Sequence, residues 1–254
     1  MSAYPQILGV YVRNVTADVG AGTTRGSYDQ KTYWYVRRTG DDAFEVQPIN
    51  ANHVPSGLRS VFGKGEFMAA FSPEPAYYER NTLPALKSLQ KKIAEGEEQF
   101  ALGRLDEAER AFLKALMIDE LSVPANLGAG AVYAEKREFH KVKKALGILL
   151  NNDETFQAEQ RARFNTLGMS LRKQGMLDEA LEYYRKALEY NDKDENLHFN
   201  LARVHFDKGD HIAALDHLER CLAINPDLEV ARKFQRYCRK QLGGSGLGSG
   251  DALR

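Results

Sequence analysis

The sequence predicts a mainly α-helical fold of stacked helical hairpins behind a small β-containing N-terminal domain, and three observations predict it. The run Gly175-Met-Leu-Asp-Glu-Ala180, followed by Tyr184 and Ala187, recurs 34 residues later as Gly209-Asp-His-Ile-Ala-Ala214, followed by Leu218 and Cys221. Gly103, Ala108, Phe112 and Ala115 hold the same four places in an earlier copy. Composition also changes near residue 80, from glycine, aromatic and β-branched residues to Ala, Leu, Glu and Lys. A fixed period of this size marks repeats that bury on their neighbours what one hairpin cannot bury alone.

Residues 1–80 read as strands, because aromatic and β-branched runs suit a pleated surface. Residues 7–12, 32–37 and 44–47 are the strands expected, with Thr39-Gly40-Asp41-Asp42 as the turn between the last two. Strand alternation puts Trp34 on the face opposite Tyr33 and Tyr35. Such a small sheet is marginal alone, so its aromatics need helices to pack against. Gly20-Ala-Gly22-Thr-Thr-Arg-Gly26 reads as a flexible hairpin loop; the alternative, a phosphate loop, lacks the Gly-Lys-Ser/Thr that should follow. The two glycines in Val61-Phe-Gly63-Lys-Gly65 favour a loop, and residues 66–71 a short helical turn. Pro73-Glu-Pro75 is expected to break the chain, leaving Thr82 as N-cap of a long helix with Leu83 and Pro84 in its first turn.

Hairpin copies begin near residues 89, 123, 161 and 195, so one junction carries four additional residues, around 151–160. The second copy is weaker, reading Tyr133, Phe139, Val142, Leu146 and Leu149, with Arg137 at the place of the turn glycine. Small residues let the helices of each hairpin cross closely. In the third copy these are Gly168, Ala180 and Ala187, with Leu167, Leu171 and Tyr184 filling the space between; in the fourth, Ala202, Ala214 and Cys221, with Leu201, His205 and Leu218. Residues 228–241 form a terminal helix that turns Val230, Phe234 and Tyr237 onto the last hairpin. Residues 243–254, rich in glycine and serine, read as a flexible tail.

Thirty-five Lys and Arg balance thirty-five Asp and Glu. Residues 1–80 balance too, so no global charge attracts nucleic acid or anionic lipid, and neither is expected as a partner. The two cysteines, Cys221 and Cys238, are expected as buried free thiols, which suits a reducing compartment. With no signal peptide or long apolar segment, the expectation is a cytoplasmic protein. Histidines at 53, 140, 198, 205, 211 and 217 show no metal-ligand spacing, and His205 occupies a packing position. No nucleophile elbow, zincin or Cys-x-x-Cys motif occurs, so no enzymatic activity, metal or cofactor is expected.

The repeat resembles the tetratricopeptide repeat over residues 83–242. The matching residues are Asn165-Thr-Leu167-Gly168, Gly175, Ala180, Tyr184 and Ala187, then Asn200-Leu201-Ala202, Gly209, Ala214, Leu222 and Asn225-Pro226. The resemblance implies a right-handed helical solenoid whose first helices line a concave peptide-binding groove. Carried onto this chain, that groove comprises Leu127, Asn165, Met169, Arg172, Lys173, Phe199, Asn200, Arg203 and Phe206, with Lys233 and Tyr237 from the terminal helix. Arginine and lysine beside aromatic anchors suit a protein or peptide bearing acidic and apolar residues. The family's chaperone-binding subclass uses a Lys/Asn/Asn/Lys/Arg clamp. Only Asn200 matches here, because Asn165, Met169, Val230 and Phe234 stand at other clamp places.

Three functions remain open on the sequence. One is an adaptor whose groove holds a partner protein. Another is a self-assembling homo-oligomer whose groove is filled by the N-terminal sheet or by a neighbouring copy. A third is a small-ligand or enzymatic role in the N-terminal domain, near Thr23, Arg25 and Trp34.

Overall fold

The computed structural model describes residues 4–19 and 26–245, without the side chains of 15–19, 26–30 and 243–245. Two compact units divide the chain, Met1–Ala125 and Asn126–Arg254.

In the first unit β1 (Gln6–Val19), β2 (Gly26–Gly40), β3 (Ala43–Pro48), β4 (Ser60–Gly63) and β5 (Ser72–Pro73) form one antiparallel sheet in the order β4-β3-β2-β1-β5. The first two strands run well beyond the expected cores at 7–12 and 32–37, pairing out to Val19 opposite Gly26. Residues 20–25, which hold most of the expected glycine loop, lie outside the described residues. The loop expected at Val61 is instead the edge strand β4, with Phe62 opposite Phe44 and Ser60 opposite Val46. An edge strand needs hydrogen bonds on one side only, and Gly63 falls at its end, where it terminates pairing without interrupting it.

The sheet is covered on both faces. On one, Val36, Phe44 and Val46 pack against Phe67 of α1 (Lys64–Ala70) and against Phe71, and the rings of Phe44 and Phe67 stack at 4.5 Å. Trp34 lies on this side, edge-on to Phe71 at 6.0 Å. On the other, Tyr33 stacks on Tyr77 at 4.0 Å and Tyr35 meets Tyr78 at 6.3 Å. The alternation read in the sequence therefore holds, and the aromatics find helical partners.

Those partners begin the first long helix earlier than expected. The chain turns helical at Pro75, through α2 (Pro75–Tyr77) and a π-helical turn (Tyr78–Thr82), and continues as α3 (Leu83–Ala101). Pro75 sits in the first turn, where no amide hydrogen is needed. Pro84 lies inside the helix and cannot donate to the fourth carbonyl back. The wider turn accommodates this: the Leu83 amide donates to the Tyr78 carbonyl, five residues earlier. Thr82 is thus a buried helical residue (φ −71°, ψ −46°) with no capping bond, not an N-cap.

The polypeptide between β3 and β4 closes the far end of α4 (Leu105–Leu116). Asn50 Nδ2 donates to the Ile118 carbonyl at 2.9 Å, Asn52 Nδ2 to the Met117 carbonyl at 3.0 Å, and Ser56 Oγ to Asp119 Oδ1 at 2.6 Å. Carbonyls that a helix end leaves open thereby gain donors. Burial pushes the Asp119 carboxyl up, against the lowering effect of the Ser56 hydroxyl.

The remaining helices are α5 (Val123–Glu135), α6 (Phe139–Leu149), α7 (Arg161–Lys173), α8 (Leu177–Tyr190), α9 (Glu195–Asp207), α10 (His211–Ile224) and α11 (Glu229–Ser245). Three of the expected copy starts, 123, 161 and 195, coincide with the starts of α5, α7 and α9. Leu167, Leu171, Leu201, Leu218, Ala180, Ala202, Ala214 and Cys221 are all fully buried, as the repeat register requires. The extra residues form two 3-10 turns, Asp153–Phe156 and Ala158–Gln160, anchored by Phe156 stacked on Tyr190 at 4.7 Å.

The terminal helix is rotated by one residue from the expected face. Ala231 and Cys238 are buried, with Phe234 packed beside them, whereas Val230 and Tyr237 are 53% and 50% exposed. Alanine and cysteine let α11 approach Ala214, Leu218 and Cys221 closely, which bulkier residues would prevent. The helix also continues to Ser245; residues 246–254 of the expected tail lie outside the described residues. Both cysteines are buried free thiols, and burial pushes Cys221 up to about 11.

Candidate functional site

The repeat spacing aligns the first helices of successive hairpins side by side. Glu135 of α5 accepts from Ser170 Oγ of α7 at 2.9 Å, and Asn200 Nδ2 of α9 donates to Asn165 Oδ1 of α7 at 3.3 Å. Arg172 of α7 pairs with Asp207 of α9. Each of these contacts spans 35 residues. The α11 helix continues the surface through aromatic rings, with Phe199 6.1 Å from Phe234 and Phe206 5.3 Å from Phe234 and 5.4 Å from Tyr237.

The groove residues read from the sequence have different fates on this surface. Leu127 is fully buried and offers no side-chain surface. Asn200 is nearly buried and turned toward Asn165. Met169 is 43% exposed, and Phe199, Arg203 and Phe206 are half-buried, each with part of its side chain open. Three of the four cations have acidic neighbours within the chain. Lys173 lies 3.2 Å from Glu135, Lys233 lies 3.3 Å from Glu229, and Arg172 has Asp207. The expectation that Arg172 and Lys233 would lack anionic partners is therefore corrected. The signal for Asp207 was available, since it stands one repeat beyond Arg172.

Arg203 differs. Its guanidinium lies 5.8 Å from the centroid of the Phe199 ring, and among the described residues no carboxylate pairs with it. Burial disfavours its charge, and the neighbouring Arg172 guanidinium adds to that effect, so its pKa is lowered. Beneath, burial raises the Tyr184 hydroxyl pKa, while Arg203 and Arg172 partly offset the rise. The Arg172 Nε–H is buried without an acceptor. This part of the face is thus rich in donors and positive charge, beside the aromatic wall of Phe206, Phe234 and Tyr237.

A second cluster was only half legible. His198 and His205, seven residues apart on α9, meet His217 of α10: His198 Nδ1 is 3.1 Å from His217 Nδ1, and the rings of His205 and His217 lie 5.4 Å apart. His198 Nε2 faces the Asp192 carbonyl at 3.2 Å and so must donate, which makes its Nδ1 the acceptor for His217 Nδ1–H. Burial depresses His217 to about 4, helped by His198 and His205. Among the described residues no His, Cys, Asp and Glu group fits a metal ion. A cleft of about 760 Å³ between α6 and α8 is lined by Leu150, Asp178, Leu181, Arg185 and Lys186 among others, and Asp178 and Lys186 already pair with Lys208 and Glu189.

The fold and this surface define a stacked helical-hairpin repeat protein that presents its first helices as one continuous side-chain face. Residues 94–120 and 160–227 match models of the tetratricopeptide repeat, and the chain belongs to that family. Tetratricopeptide repeats are protein-interaction scaffolds whose stacked units offer extended binding surfaces. Mouse tetratricopeptide repeat protein 14 is 28% identical over 164 residues, covering 62% of this chain and 20% of the relative. The anaphase-promoting complex subunit CDC16 of Saccharomyces cerevisiae is 29% identical over 140 residues, covering 54% and 16%. Photosystem I assembly protein Ycf3 of Synechococcus elongatus is 40% identical over 67 residues, covering 25% of this chain and 39% of the relative. The chain thus spans well under half the length of these relatives. Among solved structures, MamA superposes with a TM-score of 0.46 at 22% identity, covering 58% of this chain and 84% of MamA. The Cut9–Hcn1 assembly gives 0.45 at 21%, covering 58% and 29%. No helix of the described residues is long and apolar enough to cross a membrane.

Proposed function

We propose that this chain is a protein-binding adaptor whose α7–α9–α11 face holds a segment of a partner protein bearing acidic and apolar residues. The binding is noncovalent, and no chemical step is assigned to the chain. One observation carries the reading: half-buried Phe199 and Phe206 stand beside Arg203, a guanidinium with no acidic neighbour among the described residues. Open aromatic and arginine side chains of this kind are the usual anchors of protein interfaces.

The test is affinity capture from the source cell extract with the wild type and the Arg203→Ala/Phe206→Ala variant side by side, followed by titration with the purified partner. A partner held by the wild type and weakened by at least about tenfold in the variant supports the reading. Equal binding by both proteins, with unchanged helical content and melting, rejects this face as the binding surface. A mass above one chain in sedimentation, lost in the same variant, would assign the face to self-association.

A further inference from the structure

We infer that Arg203 is a carboxylate-reading subsite, which takes an aspartate or glutamate side chain of the bound segment and sets its spacing from an apolar anchor seated at Phe206. The inference rests on the proposed peptide-binding face and goes further by assigning one ligand chemistry to one residue.

Charge compensation on the face singles out Arg203. Lys173, Arg172 and Lys233 are satisfied by Glu135, Asp207 and Glu229 within the chain. Arg203 has the Phe199 ring under its guanidinium and no acidic neighbour among the described residues. A ring contact of this kind engages the face of the guanidinium, and the N–H groups lie at its edge. Being half-buried, this cation has lost part of its hydration, and Arg172 adds repulsion. A carboxylate supplies what both deficits ask for: an acceptor for the N–H edge and a negative charge between two guanidiniums. Charge complementarity therefore selects an acidic side chain over a neutral or basic one.

Spacing follows from α9. Arg203 and Phe206 are three residues apart on the helix, a rise of roughly 4.5 Å. An extended peptide advances about 3.3 Å per residue, so acid and apolar anchor fall within about two residues of each other. The anchor meets Phe206, Phe234 and Tyr237, whose rings already form one wall.

Random peptides displayed on phage and panned against the full chain test this. The expected enrichment is Asp or Glu within about two residues of Leu or an aromatic residue. A synthetic peptide from that pool should bind about tenfold more weakly when its acid is replaced by the matching amide. Against Arg203→Gln, with helical content unchanged, the acid and amide peptides should bind alike. If the change from acid to amide has the same effect on the wild type and on Arg203→Gln, the subsite is overturned. The face itself is judged separately by Phe206→Ala. Binding that falls with Phe206→Ala but ignores Arg203→Gln keeps the proposed function and removes only the subsite. Binding that ignores both substitutions, or no selected peptide, removes both.

Discussion

Arg137 stands where the other hairpin turns carry glycine, and its φ of 60° follows the 72°, 77° and 82° of Gly103, Gly175 and Gly209. The turn demands the left-handed region whatever residue occupies it, and a side chain there is strained by about 1 kcal/mol. A hydrogen bond from Arg137 Nε to Gln174 Oε1 at 3.1 Å returns part of that, and it is exposed. Arg137→Gly should therefore raise the unfolding free energy by about 0.5–1 kcal/mol, measured by urea denaturation. No change, or a loss, would mean that the Gln174 contact outweighs the backbone strain. The departure was visible in the sequence as a glycine replaced by arginine. Its conformation was not, because a weak copy could equally have ended its helix in another turn.

At the scale of helices, the hairpins solve one packing problem with paired residues. A Cβ on Gly168 would lie 2.3 Å from the Tyr184 hydroxyl, and one on Gly96 2.7 Å from the Phe112 ring. The fourth hairpin has Ala202 and Leu218 at those two places, both fully buried. Glycine thus accompanies the ring, and alanine accompanies leucine. Gly168→Ala alone should destabilise by about 1–3 kcal/mol, and adding Tyr184→Leu should recover much of it; a strictly additive pair would contradict this coupling. The small residues and their period were legible because close crossing restricts them. The histidine cluster was not, because His217 comes from the other helix of its hairpin and no spacing rule joins it to His198. Its consequence is acid sensitivity. Folded His217 and His205 are both depressed from 6.5, by burial first, so they remain neutral in the fold and protonate more readily once it opens. Their contribution is complete above 6.5 and is lost as pH falls toward about 4. The melting temperature should drop across that window, and less steeply in His217→Gln; parallel acid limbs in the two proteins would exclude the cluster as the cause.

For the whole molecule, the repeats were legible from period alone, whereas the first unit was legible only in outline. The glycines of β4 and the prolines flanking Tyr77 and Tyr78 look like breaks in a linear reading. Strand pairing at a sheet edge and a widened helical turn absorb them, and neither device has a local signature. The same holds for Asn50, Asn52 and Ser56, which reach across more than 60 residues to Ile118, Met117 and Asp119. Asn50→Ala with Asn52→Ala should lower stability by about 1–3 kcal/mol, with the loss concentrated in amide hydrogen exchange of Met1–Ala125; uniform loss over the chain would argue against a local clamp. That clamp also sets how the chain would yield to mechanical load. Hairpins that touch only their neighbours peel away one at a time when the termini are pulled. The α3–α4 hairpin has its entry held by Tyr33 against Tyr77 and its exit held by Asn50 and Asn52. The strands and that hairpin should give way together, in one larger extension step.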